Sequence, residues 1–246
     1  MIQAPLLEAI SVCKSFGGFV ALDAIDLTIQ PGERIGLIGP NGSGKSTFVN
    51  CLSGAISTDS GTITFDGLRI EKLPAFKRVR LGIVRSFQIP KPFASLTVLE
   101  NLHIPLHFAT GHRSGTKAVR SEINAQAMHI LEEVGLANKA RESSASLTQV
   151  DMRKLELARA VAAHPKLLIA DESMAGLSHS EIDEILALLL KLNEEGIAII
   201  MIEHIMRAVM AFSQRTIVLV AARKIADALP TEVIRNAEVI RAYLGE

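Results

Sequence analysis

Tryptophan is absent from the 246-residue sequence, and tyrosine occurs once, at Tyr243. Extended stacking platforms for bases or sugars need several such rings, so this chain has no material for them. Cysteine is almost as scarce: Cys13 and Cys51 form neither a C-x-x-C pair nor a disulfide framework, which fits a reducing compartment. Neither sign of charge is in excess, with Lys+Arg 26 against Asp+Glu 26 and a formal net charge of +0. No global positive field gathers nucleic acid or anionic lipid, and no nucleic-acid partner is expected. Runs such as Ile197–Ile202 are strand-sized, far short of the roughly 20 residues that span a bilayer. The opening MIQAPLLEAISV lacks the basic flank and apolar stretch of a secretory signal. These absences predict a cytosolic chain whose membrane role, if any, comes through a partner.

What is present is globular: 48% hydrophobic and 21% charged residues. Leu6–Val12 and Leu22–Ile29 alternate apolar and polar side chains and read as half-buried strands. Pro31-Gly32 is a turn, Arg34–Ile38 a short apolar strand, and Ser46–Leu52 opens a helix after the glycine-rich Gly39–Gly44. Gly61–Phe65 with Asp66-Gly67 reads as a hairpin strand, and Gly82–Phe87 as another strand. From Pro90 to about Arg159 helical periodicity takes over: Ala118, Ile123, Ala127, Ile130, Leu131 and Val134 share a face before a stop at Gly135. Strands return at Lys166–Ala170, Ile197–Ile202 and Thr216–Ala221, with an amphipathic helix over Glu181–Glu195. Strands alternating with helices imply an α/β fold with a mainly parallel sheet covered on both faces. Ligands of such sheets bind at the carboxyl ends of the strands.

Gly39-Pro40-Asn41-Gly42-Ser43-Gly44-Lys45-Ser46-Thr47 satisfies G-x-x-x-x-G-K-[ST]. Glycines let successive N–H groups turn inward around phosphates, and the following helix aims its positive end at the same anion. Lys45 would supply a point charge to the terminal phosphates and the Ser46 hydroxyl a ligand for Mg²⁺. A glycine turn with a chance lysine is the bland alternative, but the motif lies between strand and helix, as the mechanism needs. Leu167–Ala170 runs into Asp171-Glu172: Asp171 is placed to hold Mg²⁺ through its water shell, and Glu172 to act as general base toward water. Without the phosphate loop, a solvated acidic pair would be the better reading. Ile197–Ile202 ends in Glu203-His204, which places His204 on the same sheet edge for a γ-phosphate contact. The chemistry indicated is nucleotide phosphate hydrolysis, and the lack of N-K-x-D argues against a GTPase.

These motifs resemble the ATP-binding cassette (ABC) ATPases, and among them the subunits of branched-chain amino-acid importers. Phe16, in CKSFGGFVALD, matches the aromatic that stacks on adenine. Gln88, in VRSFQIPKPF, matches the glutamine that senses metal and γ-phosphate. Leu96–Asn101, Ala175-Gly176-Leu177-Ser178, His204 and the ending Val239–Glu246 match in turn the start of the helical insertion, the dimer-crossing loop, the switch histidine and the importer branch. The resemblance implies one ABC ATPase domain over 1–246. Its phosphate-loop core and N-terminal antiparallel part would take 1–89 and 160–246, with a helical subdomain at 90–159. It further implies ATP and Mg²⁺, two membrane-spanning permease subunits, a second cassette subunit (a different one, or this chain itself) and, indirectly, a periplasmic solute-binding protein. The place of action would be the cytoplasmic face of the inner membrane. A cassette for urea import or lipopolysaccharide export, or a soluble ABC ATPase, are the rival expectations. The soluble kinds carry coiled-coil insertions or tandem cassettes, which this sequence lacks.

Two departures stand out. The family's Leu-Ser-Gly-Gly-Gln segment aligns with Leu147-Thr148-Gln149-Val150-Asp151, and Ser173 follows Glu172 where proline is common. Thr148-x-x-Asp151 also reads as a capping box for the helix carrying Lys154–Ala163. By the resemblance, the segment would contact ATP held by the opposite subunit, so its change should weaken the partner's site. His103 and His107 are four apart, but Pro105 between them is expected to disrupt the helix that would align them for a metal. Cys51 reads as packing. Phe87, Ile89, Pro90, Pro92 and Phe93 read as part core, part receiving surface for a coupling helix of a membrane subunit.

Overall fold

The computed structural model describes residues 4–86, 91–110 and 117–244. Strands β1 (Leu7–Phe16) and β2 (Phe19–Ile29) form a long hairpin, joined by β4 (Ser60–Phe65) and β5 (Leu68–Arg69) in an antiparallel sheet of order β2-β1-β4-β5. Both hairpin strands extend beyond the alternating stretches, because Lys14, Ser15 and Phe16 still pair with Leu22, Val20 and Phe19 across the turn. The second sheet contains β3 (Arg34–Ile38), β6 (Ile83–Ser86), β7 (Leu167–Asp171), β8 (Ala198–Ile202), β9 (Arg215–Val220) and β10 (Arg223–Ala228). Its order is β10-β9-β3-β8-β7-β6, parallel except for β10.

Every residue of β7 and β8 is buried, as a doubly covered parallel sheet requires. Alternate side chains serve two cores. Leu167 and Ile169 join Ile35, Leu37 and Ile200 beneath α1 (Lys45–Ser53) and the antiparallel sheet. Leu168 and Ala170 join Ile199 and Met201 beneath α6 (His179–Glu194) and the helical block. That block comprises α3 (Val98–Thr110), α4 (Lys117–Glu133) and α5 (Gln149–Val161); α2 (Ala75–Leu81), α7 (Met206–Phe212), α8 (Pro230–Val233) and α9 (Ala237–Leu244) complete the described helices.

Two expectations need correction. Pro105 does not interrupt α3, which runs through it. An interior proline costs about 3 kcal/mol, but Val98, Leu102 and Leu106 lie one turn apart on the core face and are fully buried, and that packing outweighs the lost hydrogen bond. His103 and His107 therefore do share a helix, yet no group of three or more metal-ligating side chains occurs among the described residues. The second correction concerns the cap. Helix α5 begins at Gln149, right after Thr148, and Thr148 Oγ1 accepts from Asp151 N as expected. The Asp151 carboxylate, however, turns to Lys139 Nζ at 2.5 Å and the Thr148 hydroxyl at 2.7 Å. No reciprocal bond to the Thr148 N–H is made, because an ammonium is the stronger partner for a buried carboxylate.

Among the described residues, no helix is long and apolar enough to cross a membrane. Cys51 is fully buried, and burial pushes its thiol up to about 11, which suits packing.

Candidate functional site

The central strand β3 delivers the phosphate loop at its carboxyl end. Gly39 has φ 151°, and a Cβ there would lie 2.1 Å from the Leu219 carbonyl oxygen. Gly44 has φ 107° and would meet the Ala21 carbonyl at 2.5 Å. Only glycine fits either place, so the loop is wedged between β9 and the N-terminal hairpin. Gly44 also leaves the start of α1 without a side-chain cap, so first-turn N–H groups face the loop's concavity.

Lys45 is buried, and its ammonium donates to the Gly39 carbonyl at 2.7 Å and the Pro40 carbonyl at 3.0 Å. Desolvation pulls its pKa down, while Glu172 and Asp171 act the other way. An ammonium has three donors, so one remains beyond these two carbonyls. The Ser43 hydroxyl is buried without a hydrogen-bond partner among the described residues. A cradle with open amides, a buried cation and an unpaired hydroxyl fits a polyphosphate.

Strand β7 ends in Asp171, whose Oδ2 receives Arg85 Nη2 at 2.5 Å. Arg85 also donates to Asn50 on α1, so the acidic strand end and the loop helix are tied together. The oxygen donors of Ser46 and Asp171 suit Mg²⁺, which binds through one or two protein ligands plus water and substrate phosphates. That fits the lack of a larger ligand cluster among the described residues.

Glu172 adopts φ 47°, a sparsely populated conformation for a non-glycine residue. Its N–H donates to the Ile202 carbonyl at 2.9 Å, and Oε1 lies 3.0 Å from His204 Nε2. Glu172, His204, Lys45, Ser46 and Thr47 line one cavity with Asn41–Gly44. The structure thus brings the loop, Glu172 and His204 together around one cavity. The aromatic at this cavity is Phe19, not Phe16; the two are cross-strand neighbours at the hairpin end, and Phe16 stacks under Lys14. Hydrophobic alternation could not say which of them faces the loop.

Gln88 lies outside the described residues, as do Phe87, Ile89 and Pro90. Nearby, Phe93 is exposed, with the Arg159 guanidinium 5.2 Å from its ring centre. Across the site, the 173–177 loop is held by α5: Gln149 Nε2 and Arg153 Nη2 both donate to the Ala175 carbonyl, at 3.3 and 3.4 Å.

Sheet order, phosphate loop and the acid–histidine pair at the strand ends define an ATP-binding cassette of the α/β type. Comparison with known proteins gives the lineage: the ABC transporter family matches residues 22–175, and the branched-chain amino acid ATP-binding cassette transporter family matches residues 223–246. The chain belongs to the ABC transporter family. It is 38% identical, over the full length of both chains, to the high-affinity branched-chain amino acid transport ATP-binding protein BraF of Pseudomonas aeruginosa. Identity and coverage are the same for LivG of Escherichia coli. The crystal structure of an ABC transporter cassette in its ADP conformation superposes with TM-score 0.89 at 30% identity, covering 99% of this chain and 100% of that one. A dimeric cassette bound to ADP and Pi gives TM-score 0.80 at 26% identity, covering 91% and 98%. The protein is a transport ATPase subunit.

Proposed function

We propose that this cassette hydrolyses MgATP to power the import of branched-chain or similarly apolar amino acids. The observation that carries the solute class is the C-terminal match over residues 223–246, which general cassettes need not share, together with end-to-end relatives named for that transport. Residues 1–89 and 160–246 serve as the nucleotide-binding core and 90–159 as the helical subdomain that answers to the membrane.

In this reading Gly39–Thr47 wrap the phosphates, and Lys45 donates its remaining N–H to the terminal phosphate oxygens. Ser46 and Asp171, with Gln88 by resemblance, would hold Mg²⁺, which would neutralise charge on the phosphates when bound. Glu172 accepts a proton from water as its oxygen attacks the γ-phosphorus, and the electron pair of the breaking bond leaves with ADP. His204 holds the Glu172 carboxylate in place and faces the γ-phosphate. Phe19, or Phe16 across the hairpin from it, packs on the adenine. The working unit pairs this chain with a second cassette and two permease subunits on the cytoplasmic face of the inner membrane, fed by a solute-binding protein.

The test is reconstitution of the chain with its genomic neighbours in proteoliposomes. Leucine-loaded binding protein should raise phosphate release and drive leucine uptake. Stimulation by urea-loaded or lipopolysaccharide-loaded partners instead would refute the assignment.

A further inference from the structure

Glu203 is a buried carboxylate that the chemistry above does not use. It follows β8, is 3% exposed, and its Oε1 accepts the Met174 N–H at 3.0 Å. The His204 N–H also donates to it. The groups facing it are Glu172 after β7 and the Arg153 guanidinium from α5. Burial pushes its carboxyl up to about 7, with the two N–H groups and Arg153 pulling against burial and Glu172. A carboxylate in so dry a place is costly unless it holds something.

What it holds is the turn carrying Glu172. That turn is strained at φ 47°, and a strained residue persists only where its surroundings over-determine it. Three restraints converge here. The Glu172 N–H bonds to Ile202 O, the Met174 N–H to Glu203, and the Ala175 carbonyl receives Gln149 and Arg153. Two of the three come from adjacent residues at the end of β8, immediately before His204.

We propose that Glu203 is a positioning residue for hydrolysis: it clamps the Met174 amide and so fixes the turn that aims Glu172 at water and at His204. The role rests on the ATPase reading above. Glu203 does not itself line the cavity and makes no hydrogen bond to a phosphate-loop residue among the described residues, so nucleotide binding should not depend on it. The clamp is tightest when Glu203 is ionised, since charge-assisted bonds to N–H groups are the stronger ones. Turnover should therefore fall as pH drops through about 7.

The experiment uses the full chain with Glu203→Ala and Glu203→Gln, the latter keeping an oxygen acceptor and the shape. Steady-state phosphate release and binding of a fluorescent ATP analogue are measured from pH 6 to 8.5, with amide hydrogen exchange at Met174. Expected for Glu203→Ala are a kcat loss of about tenfold, an ATP affinity within about twofold of wild type, and faster Met174 exchange. Glu203→Gln should show a pH-independent kcat, above that of Glu203→Ala but no higher than wild type reaches below pH 7, with no inflection near pH 7. Should Glu203→Ala fail to fold, the Gln variant's pH profile and Met174 exchange decide. Wild-type kcat and Met174 protection in the Ala variant, equal loss of binding and turnover, or an unchanged inflection in the Gln variant would overturn the proposal. A wild-type chain that releases no phosphate in any assembly would instead sink the ATPase reading, and Met174 exchange would still report on the clamp.

Discussion

The amino ends of two helices are finished in opposite ways. Helix α1 starts after Gly44 with no side-chain cap and with Lys45 folded against the loop carbonyls. Helix α5 starts after Thr148, whose hydroxyl takes the Asp151 N–H, and Asp151 is neutralised by Lys139. The first end keeps its donors for an outside anion, whereas the second satisfies its own. A helix amino end binds anions only when nothing internal has claimed its N–H groups. This chain therefore presents an open phosphate cradle at 39–47 and, at 147–151, a segment that stabilises its own helix.

The largest effect is expected at Glu172. Glutamine keeps the shape and the contact with His204 but cannot take a proton. Glu172→Gln should reduce hydrolysis by about 100-fold or more, the scale of lost general-base catalysis, while ATP still binds. Gel filtration with MgATP should then show a trapped dimer, and hydrolysis at the wild-type rate would remove Glu172 from its role.

A smaller effect sharpens the α5 side. Val150→Gly with Asp151→Gln restores the residue types usual in the family, frees the helix end and lets a backbone approach closely. Steady-state phosphate release by the chain alone should rise a few-fold, about 1 kcal/mol in the barrier. The folded state should lose stability with the Asp151–Lys139 pair. An unchanged or lower rate would leave capping as the whole account of 147–151.

Much of this was legible before the structure. Period-2 runs mark the hairpin strands, short apolar runs mark β3, β7 and β8, and Gly39–Thr47 marks the phosphate loop, because those signals are local in the chain. What escaped was long-range. Nothing near Arg85 announces a pairing with Asp171, 86 positions away. Nothing near Glu203 announces the Met174 amide, 29 positions away. Helix α2 went unread because only Arg78 of its residues is buried, and that side chain donates to carbonyls at the end of α1 and before α2. Pro105 misled because the local rule for proline ignores how deeply Leu102 and Leu106 are packed. Lys139 could not be foreseen as the partner that draws the Asp151 carboxylate off its expected cap.

The most direct measurement compares the two helix ends in one assay: equilibrium titration of MgATP into folded wild type, Lys45→Ala and Thr148→Ala. Lys45→Ala removes a charge-assisted donor from the phosphates and should weaken binding by about tenfold or more. Thr148→Ala should leave affinity unchanged and cost about 1 kcal/mol of stability through the lost cap. Wild-type affinity in Lys45→Ala, or a loss of affinity confined to Thr148→Ala, would contradict the assignment of the open end as the nucleotide site.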